Sequence, residues 1–326
     1  MRVAVTGGSG VVGAAVVRHL VDAGHEVRGL ARTTSASEKI AALGAKPFPG
    51  DVLDPESLVG LVSDVDRVFH VAGVNEMCSA DPGHMDEVNI VGTSNVRDAC
   101  LSASVGRLIH TSSAVAIGEE HGRVGSEASP HRGWYLSRYE RSKHISEQLV
   151  LEESAGLEAV CVNPSSVQGP GRASGTGKLI LDVMRGKLPF LVESTISIVD
   201  IDDCARGHLL AADLGSPGER YLLSGVSLTI HEALALLTRV SGLSLDRRFL
   251  PGSVVSALAG GIELGARALR RRPPVCREMV RVLRHGHHYD GTRATRDLGL
   301  VYTPAEDTVQ RAIDWFRAQG LLQTQR

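Results

Sequence analysis

Hydrophobic positions in the first half of the chain fall in short β-branched runs, separated by amphipathic stretches with helical spacing. The runs at 3–6, 27–31, 46–48, 67–71, 107–111 and 159–162 predict strands. Several are almost continuously apolar, as in RVAVT and RVFHVAG, which is the pattern of strands covered on both faces. The stretches 10–23, 55–62, 86–103 and 137–155 predict helices between them. Strict alternation of this kind predicts a doubly wound α/β architecture with a parallel sheet. After Pro164 the rhythm breaks at NPSSVQGPGRASGTG, a lobe boundary or binding loop that leads into the helical run LILDVMRG. ISIVDIDDCARGHLLAADLG reads as a strand and helix returning to the first lobe, and the remainder is mainly helical. The expected division is a sheet domain over 1–165 with 195–214 returning to it, and a smaller, mainly helical substrate lobe made of 166–194 and 215–326.

Composition narrows the function classes. A chain of 326 residues with 43% hydrophobic and 22% charged residues can bury a large core and is neither disordered nor membrane-spanning by composition. A net charge of −2 gives no electrostatic footprint for nucleic acid, and the local cluster Arg270, Arg271 and Arg272 reads as a solvated helix end. The five cysteines, Cys78, Cys100, Cys161, Cys204 and Cys276, show no CxxC spacing. That pattern predicts free, inert thiols, no structural metal and a reducing, cytoplasmic setting. The opening MRVAVTGG runs straight into a strand, so no secretory signal is expected.

Three groups of residues carry chemistry. In TGGSGVVG, Gly7, Gly10 and Gly13 follow a strand and open a helix, with Val11 and Val12 on the same turn. Such glycines permit a tight turn, close approach of backbone to a pyrophosphate, and close helix packing, so the segment predicts dinucleotide binding. Tyr139 and Lys143 stand four residues apart and share one helical face. A phenol of pKa about 10 is a poor base at neutral pH, and a neighbouring ammonium would lower it. At the end of LIHTSSAVAIG, Thr111, Ser112 and Ser113 lie at the carboxyl edge of the sheet, where a hydroxyl can hold a substrate oxygen.

These segments, together with GDVLD, HVAG, VNIVGTSNV, NPSSVQGPG and IVDIDDCARGHLL in the same order, resemble the extended short-chain dehydrogenase/reductase family over nearly the whole chain. The likeness is greatest to its dihydroflavonol reductase and 3β-hydroxysteroid dehydrogenase branch, including bacterial proteins described as hopanoid-associated sugar epimerases. It implies a Rossmann sheet, with Tyr139 as general acid/base, Lys143 as its electrostatic partner and ribose ligand, and Ser113, with Ser112 as the competing choice, orienting the substrate oxygen. It further implies cofactor contacts from Gly7, Gly10, Val11, Val12, Gly13, Asp51, Val52, Val71, Ala72, Gly73, Thr111 and Pro164. Val74, Asn75 and Ser165 join Ser113 and Tyr139 at the substrate. Asn89 matches the family's asparagine, with a structural or relay role.

Arg32, in EVRGLARTTS, stands where NAD-preferring relatives carry an acidic residue, so NADP is the expected cofactor, with NAD admitted. The expected reaction interconverts a carbonyl and an alcohol on a moderately large apolar or aromatic small molecule. The substrate pocket is expected from 74–77, 114–134 and 165–185. Many sugar-nucleotide members carry a tyrosine where this chain has Ile117, which places epimerisation second; a non-catalytic dinucleotide-sensing regulator is a further alternative. The resemblance allows a homodimer. His285, His287 and His288 have no carboxylate nearby in sequence, so no metal site is expected there. The apolar stripe VVSALAGGIELGARAL is expected to pack inward or line the substrate pocket.

Overall fold

A computed structural model describes every residue except Ala80, Glu153, Ala155, Pro189, Arg270 and 323–326. The far end of the helix expected over 137–155, and Arg270 of the basic cluster, therefore lie outside the described residues. The first half runs β1 (Arg2–Thr6), α1 (Val11–Asp22), β2 (Glu26–Ala31), α2 (Thr34–Ala42), β3 (Lys46–Pro49), α3 (Pro55–Val62), β4 (Arg67–His70), α4 (Pro82–Asp86), α5 (Gly92–Ser102), β5 (Arg107–Thr111), β6 (Val124–Gly125), α6 (Arg138–Glu152) and β7 (Glu158–Pro164). The second half continues with β8 (Ser166–Gln168), α7 (Thr176–Met184), β9 (Phe190–Leu191), β10 (Thr195–Asp200), α8 (Ile201–Leu214), β11 (Arg220–Leu223), β12 (Val226–Thr229), α9 (Ile230–Ser241), β13 (Arg248–Phe249), α10 (Gly252–Ala268), α11 (Arg277–His285), β14 (His288–Tyr289), α12 (Thr292–Leu298) and α13 (Ala305–Ala318).

Seven strands form one sheet in the order β11-β7-β5-β4-β1-β2-β3, and every pairing in it is parallel. This is the doubly wound Rossmann order, with the strand sequence reversing between β1 and β4. Two apolar cores cover its faces. One includes Val3, Val5, Phe69 and Ile109 beneath α1 and α8, and the other includes Ala4, Val68, Leu108 and Cys161 beneath α3 and α5. Alternate residues of each strand thus feed opposite cores, which is why the strands read as unbroken apolar runs.

Boundaries follow local chemistry. Asp54 caps α3 ahead of Pro55, Asp200 caps α8, and Thr229 with Glu232 forms a capping box on α9. Helix α2, capped by Thr33, lies in a stretch where the sequence predicts no element, because only Ile40 is buried and the amphipathic signal is weak. The helix expected over 86–103 is interrupted by a π-helical segment, Glu87–Val91. The lobes are also more interleaved than the sequence suggests. Helix α8 returns to pack on α1, whereas β10 joins β8 and β12 in a separate three-stranded sheet, and β11 adds to the large sheet. No helix among the described residues is long and apolar enough to cross a membrane.

Cys78 and Cys276 form a disulfide with Cα atoms 5.7 Å apart, joining the segment after β4 to the residue that precedes α11. This corrects the expectation of free thiols throughout and removes the cysteine argument for a reducing compartment. The partners are distant in sequence, so spacing carries no signal for the pairing. Cys100, Cys161 and Cys204 are buried free thiols.

Three histidines lie buried under the carboxyl edge of the sheet. Thr6 accepts from the Ala72 N–H and pairs with His70 Nδ1 at 2.7 Å, while His70 Nε2 meets Thr93, which donates to the Asn89 carbonyl. His208 bridges the Cys204 carbonyl and the Thr111 hydroxyl. Burial, reinforced by the Lys143 charge, holds His70 down at about 3; burial holds His208 at about 4, and His110 well below its ordinary value. In the unfolded chain these imidazoles take up protons near pH 6.5, while the native ones stay neutral. Stability from this source is therefore complete above about pH 7 and is lost as pH falls toward 4, by up to about 1.4 kcal/mol per histidine per pH unit. Urea midpoints should fall between pH 7 and 5, and His208→Gln should flatten that fall; a wild-type profile flat across the window would contradict this reading.

Candidate active site

The carboxyl ends of β1, β4, β5 and β7 converge where the strand order reverses, the usual ligand position in open parallel sheets. The turn after β1 is tight because Gly7 adopts a φ of +72°, and a Cβ there would lie 2.6 Å from the Ala72 nitrogen. A Cβ on Gly13 would come 2.1 Å from the Gly7 carbonyl oxygen, so only hydrogen lets α1 start this close to the strand. Gly10 donates to the Gly7 carbonyl at 2.9 Å and places no side-chain cap on α1. The result is an uncapped helix N-terminus above a side-chain-free turn, flanked by Val11 and Val12, which fits a dinucleotide pyrophosphate.

At the end of β2, Arg32 and Asp51 face each other at 3.6 Å, with side chains 60% and 34% exposed. Asp51 also accepts from Leu53, and Val52 is buried with its carbonyl bonded to Asn95. The Thr33 hydroxyl accepts from Ala36 in capping α2. Beyond β4, Val71, Ala72 and Gly73 form the wall opposite the glycine turn. Asn89, on the π-helical segment, clamps both backbone groups of Val74 and donates to Ser142, so its observed contacts are structural. Asn75 is exposed beside them.

Thr111, Ser113, Tyr139 and Lys143 come together at the end of β5. The Ser113 hydroxyl lies beside the partly buried Tyr139 phenol. The neighbouring Ser112 hydroxyl is buried without a hydrogen-bond partner. Burial pushes the Tyr139 phenol up, with the Ser113 hydroxyl and the Arg172 guanidinium pulling against it. Lys143, expected from its spacing to be the group that lowers the phenol, instead donates to the Thr111 carbonyl at 2.7 Å. Burial lowers its ammonium to about 8, against the opposing pull of Cys161 and Glu147. Pro164 and Ser165 follow on β7 and its exit, Ser165 donating its N–H to Leu223.

Two features here were not singled out from the sequence. Arg172 reaches the tyrosine from the Gly/Pro-rich loop, with its Nε buried and unpartnered. Asn163 donates to the Ser113 carbonyl at 3.1 Å and to Glu147, pinning the serine's backbone. The NP pair that begins the broken stretch was the only sequence signal for the second.

A cavity of about 1020 Å³ opens beside the start of α6, one turn before Tyr139. Tyr135, Leu136, Met85 and Leu264 supply apolar wall, and arginines including Arg271 and Arg281 supply charge. The Cys78–Cys276 bridge forms part of the rim. Of the loops expected to shape the pocket, residues just after β4 contribute, whereas among the described residues none of 114–134 or 165–185 lines this cavity. The α10 stripe is divided: Leu264 lines the cavity, Ala259 is buried, and Val254, Leu258 and Ile262 face outward, which corrects the expectation of an inward packing face.

The NAD dependent epimerase/dehydratase family model matches residues 3–224. The chain is 32% identical to sterol demethylase protein B of Methylococcus capsulatus, over 99% of this chain and 100% of that one. It is 31% identical to 2-alkyl-3-oxoalkanoate reductase of Stenotrophomonas maltophilia, over 92% and 94% of the two chains. The crystal structure of gox2253 superposes with a TM-score of 0.86 at 35% identity, covering 98% of this chain and 99% of that one. On this evidence the chain belongs to the NAD-dependent epimerase/dehydratase family and is an enzyme of the extended short-chain dehydrogenase/reductase type.

Proposed function

We propose that this enzyme interconverts a carbonyl and a secondary alcohol on a bulky, mainly apolar small molecule, with Tyr139 as the general acid/base. The observation that carries the reading is the Ser113 hydroxyl lying beside the Tyr139 phenol at the sheet edge, with the preceding residues 135–138 lining the large cavity. When bound, the nicotinamide supplies or accepts the hydride. Ser113 holds the substrate oxygen, and Tyr139, kept protonated by burial, gives that oxygen its proton in the reductive direction. Lys143, anchored on Thr111, sits beside the backbone of Gly73 where a ribose hydroxyl would lie.

The cavity supports an acidic group on the apolar substrate. Arg271 and Arg281 line it without an ion-pair partner among the described residues, so a carboxylate would find a free guanidinium there. Two relatives have names that fit a bulky apolar substrate, one of them an oxoalkanoate. Ile117, where many sugar-nucleotide members of the family carry a tyrosine, is packed with Ala114, Leu222 and Tyr289 and offers no polar group to a sugar.

The test is a panel of long-chain 3-oxoacids and ketosteroids followed by nicotinamide absorbance. On a panel member that is turned over, Tyr139→Phe should bind cofactor normally and lose roughly 10² to 10⁴ in kcat. Near wild-type turnover by that variant would refute the assignment.

NADP is the proposed preferred cofactor. The Arg32 guanidinium stands at the end of β2, paired among the described residues only with the half-exposed Asp51, and retains donors for a ribose 2′-phosphate. A charge-assisted contact of about 1.5–3 kcal/mol implies that Arg32→Ala weakens NADPH binding by roughly ten- to a hundredfold and leaves NADH binding nearly unchanged. Dissociation constants showing equal or tighter NADH binding by the wild type would contradict the preference.

A further inference from the structure

Away from this site, Glu119, His285 and His287 converge from distant parts of the chain. Glu119 follows the short helical turn after Ser113, His285 ends α11, and His287 leads into β14. Glu119 Oε1 lies 2.7 Å from His287 Nδ1 and 3.6 Å from His285 Nε2. One ligand atom from each residue falls within 4.8 Å of the other two. The Glu119 and His285 side chains are only 2% and 5% exposed. Even so, Glu119 Oε2 and His285 Nε2 have no hydrogen-bond partner.

Among the described residues, no lysine or arginine pairs with this carboxylate. Arg132 passes close by, but it donates to the Glu119 backbone carbonyl and spends its other arm on the buried Glu140. The carboxylate is left facing two imidazoles, with the Tyr289 hydroxyl 2.9 Å from His287 Nδ1. A buried carboxylate without a compensating cation is costly, and an unpaired imidazole nitrogen aimed at it is a ready ligand.

We propose that Glu119, His285 and His287 bind a divalent transition-metal ion, with zinc the best match, and that water completes its coordination. Two imidazoles and one carboxylate form a borderline-hard donor set suited to zinc. Tetrahedral coordination at about 2.0–2.2 Å sets neighbouring ligand atoms roughly 3.3 Å apart. The two separations found here, 2.7 and 3.6 Å, bracket that spacing. His285 also lines a smaller cavity of about 580 Å³ with His121 and Trp134, which gives an ion a route in. The ion ties the turn that carries Ser113 to the helical segment walling the substrate cavity. The lack of a carboxylate near these histidines in sequence is thus made good by the fold, while His288 is exposed and outside the cluster.

The full chain, freed of metal with a chelator and exchanged into metal-free buffer, should take up about one equivalent of zinc and melt at a higher temperature with it. Cobalt(II) should give visible d–d bands of a low-coordinate nitrogen–oxygen site. Glu119→Gln and His285→Gln should each weaken zinc binding by at least the 10- to 100-fold known for lesser, outer-shell changes, whereas His288→Ala should bind as the wild type does. Should either ligand variant fail to fold, the wild-type cobalt spectrum and zinc stoichiometry still decide the matter. No uptake by the wild type, or uptake that His285→Gln leaves unchanged, would overturn the proposal.

Discussion

The close approach of the turn after β1 to the end of β4 is the constraint on which the rest of the site depends. Only hydrogen at Gly7 and Gly13 lets the two backbones and the start of α1 come together, because a Cβ at either position would meet backbone atoms well inside contact distance. That approach leaves the helix N-terminus bare and aimed at the crevice. It also fixes the geometry of everything opposite. Thr6, at the end of β1, holds both Ala72 and His70, and through Thr93 the chain of hydrogen bonds reaches the carbonyl of Asn89.

A layer of satisfied polar groups then carries this geometry to the catalytic edge. Asn89 fixes the loop after β4 and touches Ser142, which is next to Lys143 on α6. Lys143 and His208 both bond to Thr111, through its carbonyl and its hydroxyl. Asn163 holds the Ser113 carbonyl. Each of these groups would be expensive to bury alone, so the network holds its members in one arrangement. Its effect is positional: the Ser113 hydroxyl and the Tyr139 phenol are held side by side, and the residues just before Tyr139 line a cavity whose far wall comes from the C-terminal segment. The disulfide between Cys78 and Cys276 fastens that segment to the loop after β4, on the cavity's rim.

Much of this was legible in the sequence for stated reasons. Strands such as RVAVT announce themselves because both faces are covered, and their ends place Thr6, His70 and Thr111 without further information. The glycine turn and the Tyr139/Lys143 spacing are local patterns, and local patterns survive folding. What escaped was non-local. β11 joins the large sheet while β10 leaves it, a matter of tertiary pairing that two similar apolar runs do not reveal. The partner of Cys78, the approach of Arg172 to Tyr139, and the carboxylate beside His285 and His287 all arise from residues far apart in the chain. Helical spacing places Tyr139 and Lys143 on one face but does not fix the direction of the ammonium, which here bonds the Thr111 carbonyl.

The central claim, that this site performs net hydride exchange with a released carbonyl or alcohol, is tested most directly by isotope tracing. Reduction of a long-chain 3-oxoacid or a ketosteroid with NADPH deuterated at the nicotinamide C4 should place one deuterium on the carbinol carbon of the free product. Consumption of one cofactor per product should accompany it. Transfer to no ketone, together with interconversion of a nucleotide sugar that consumes no cofactor and releases no label, would contradict the account.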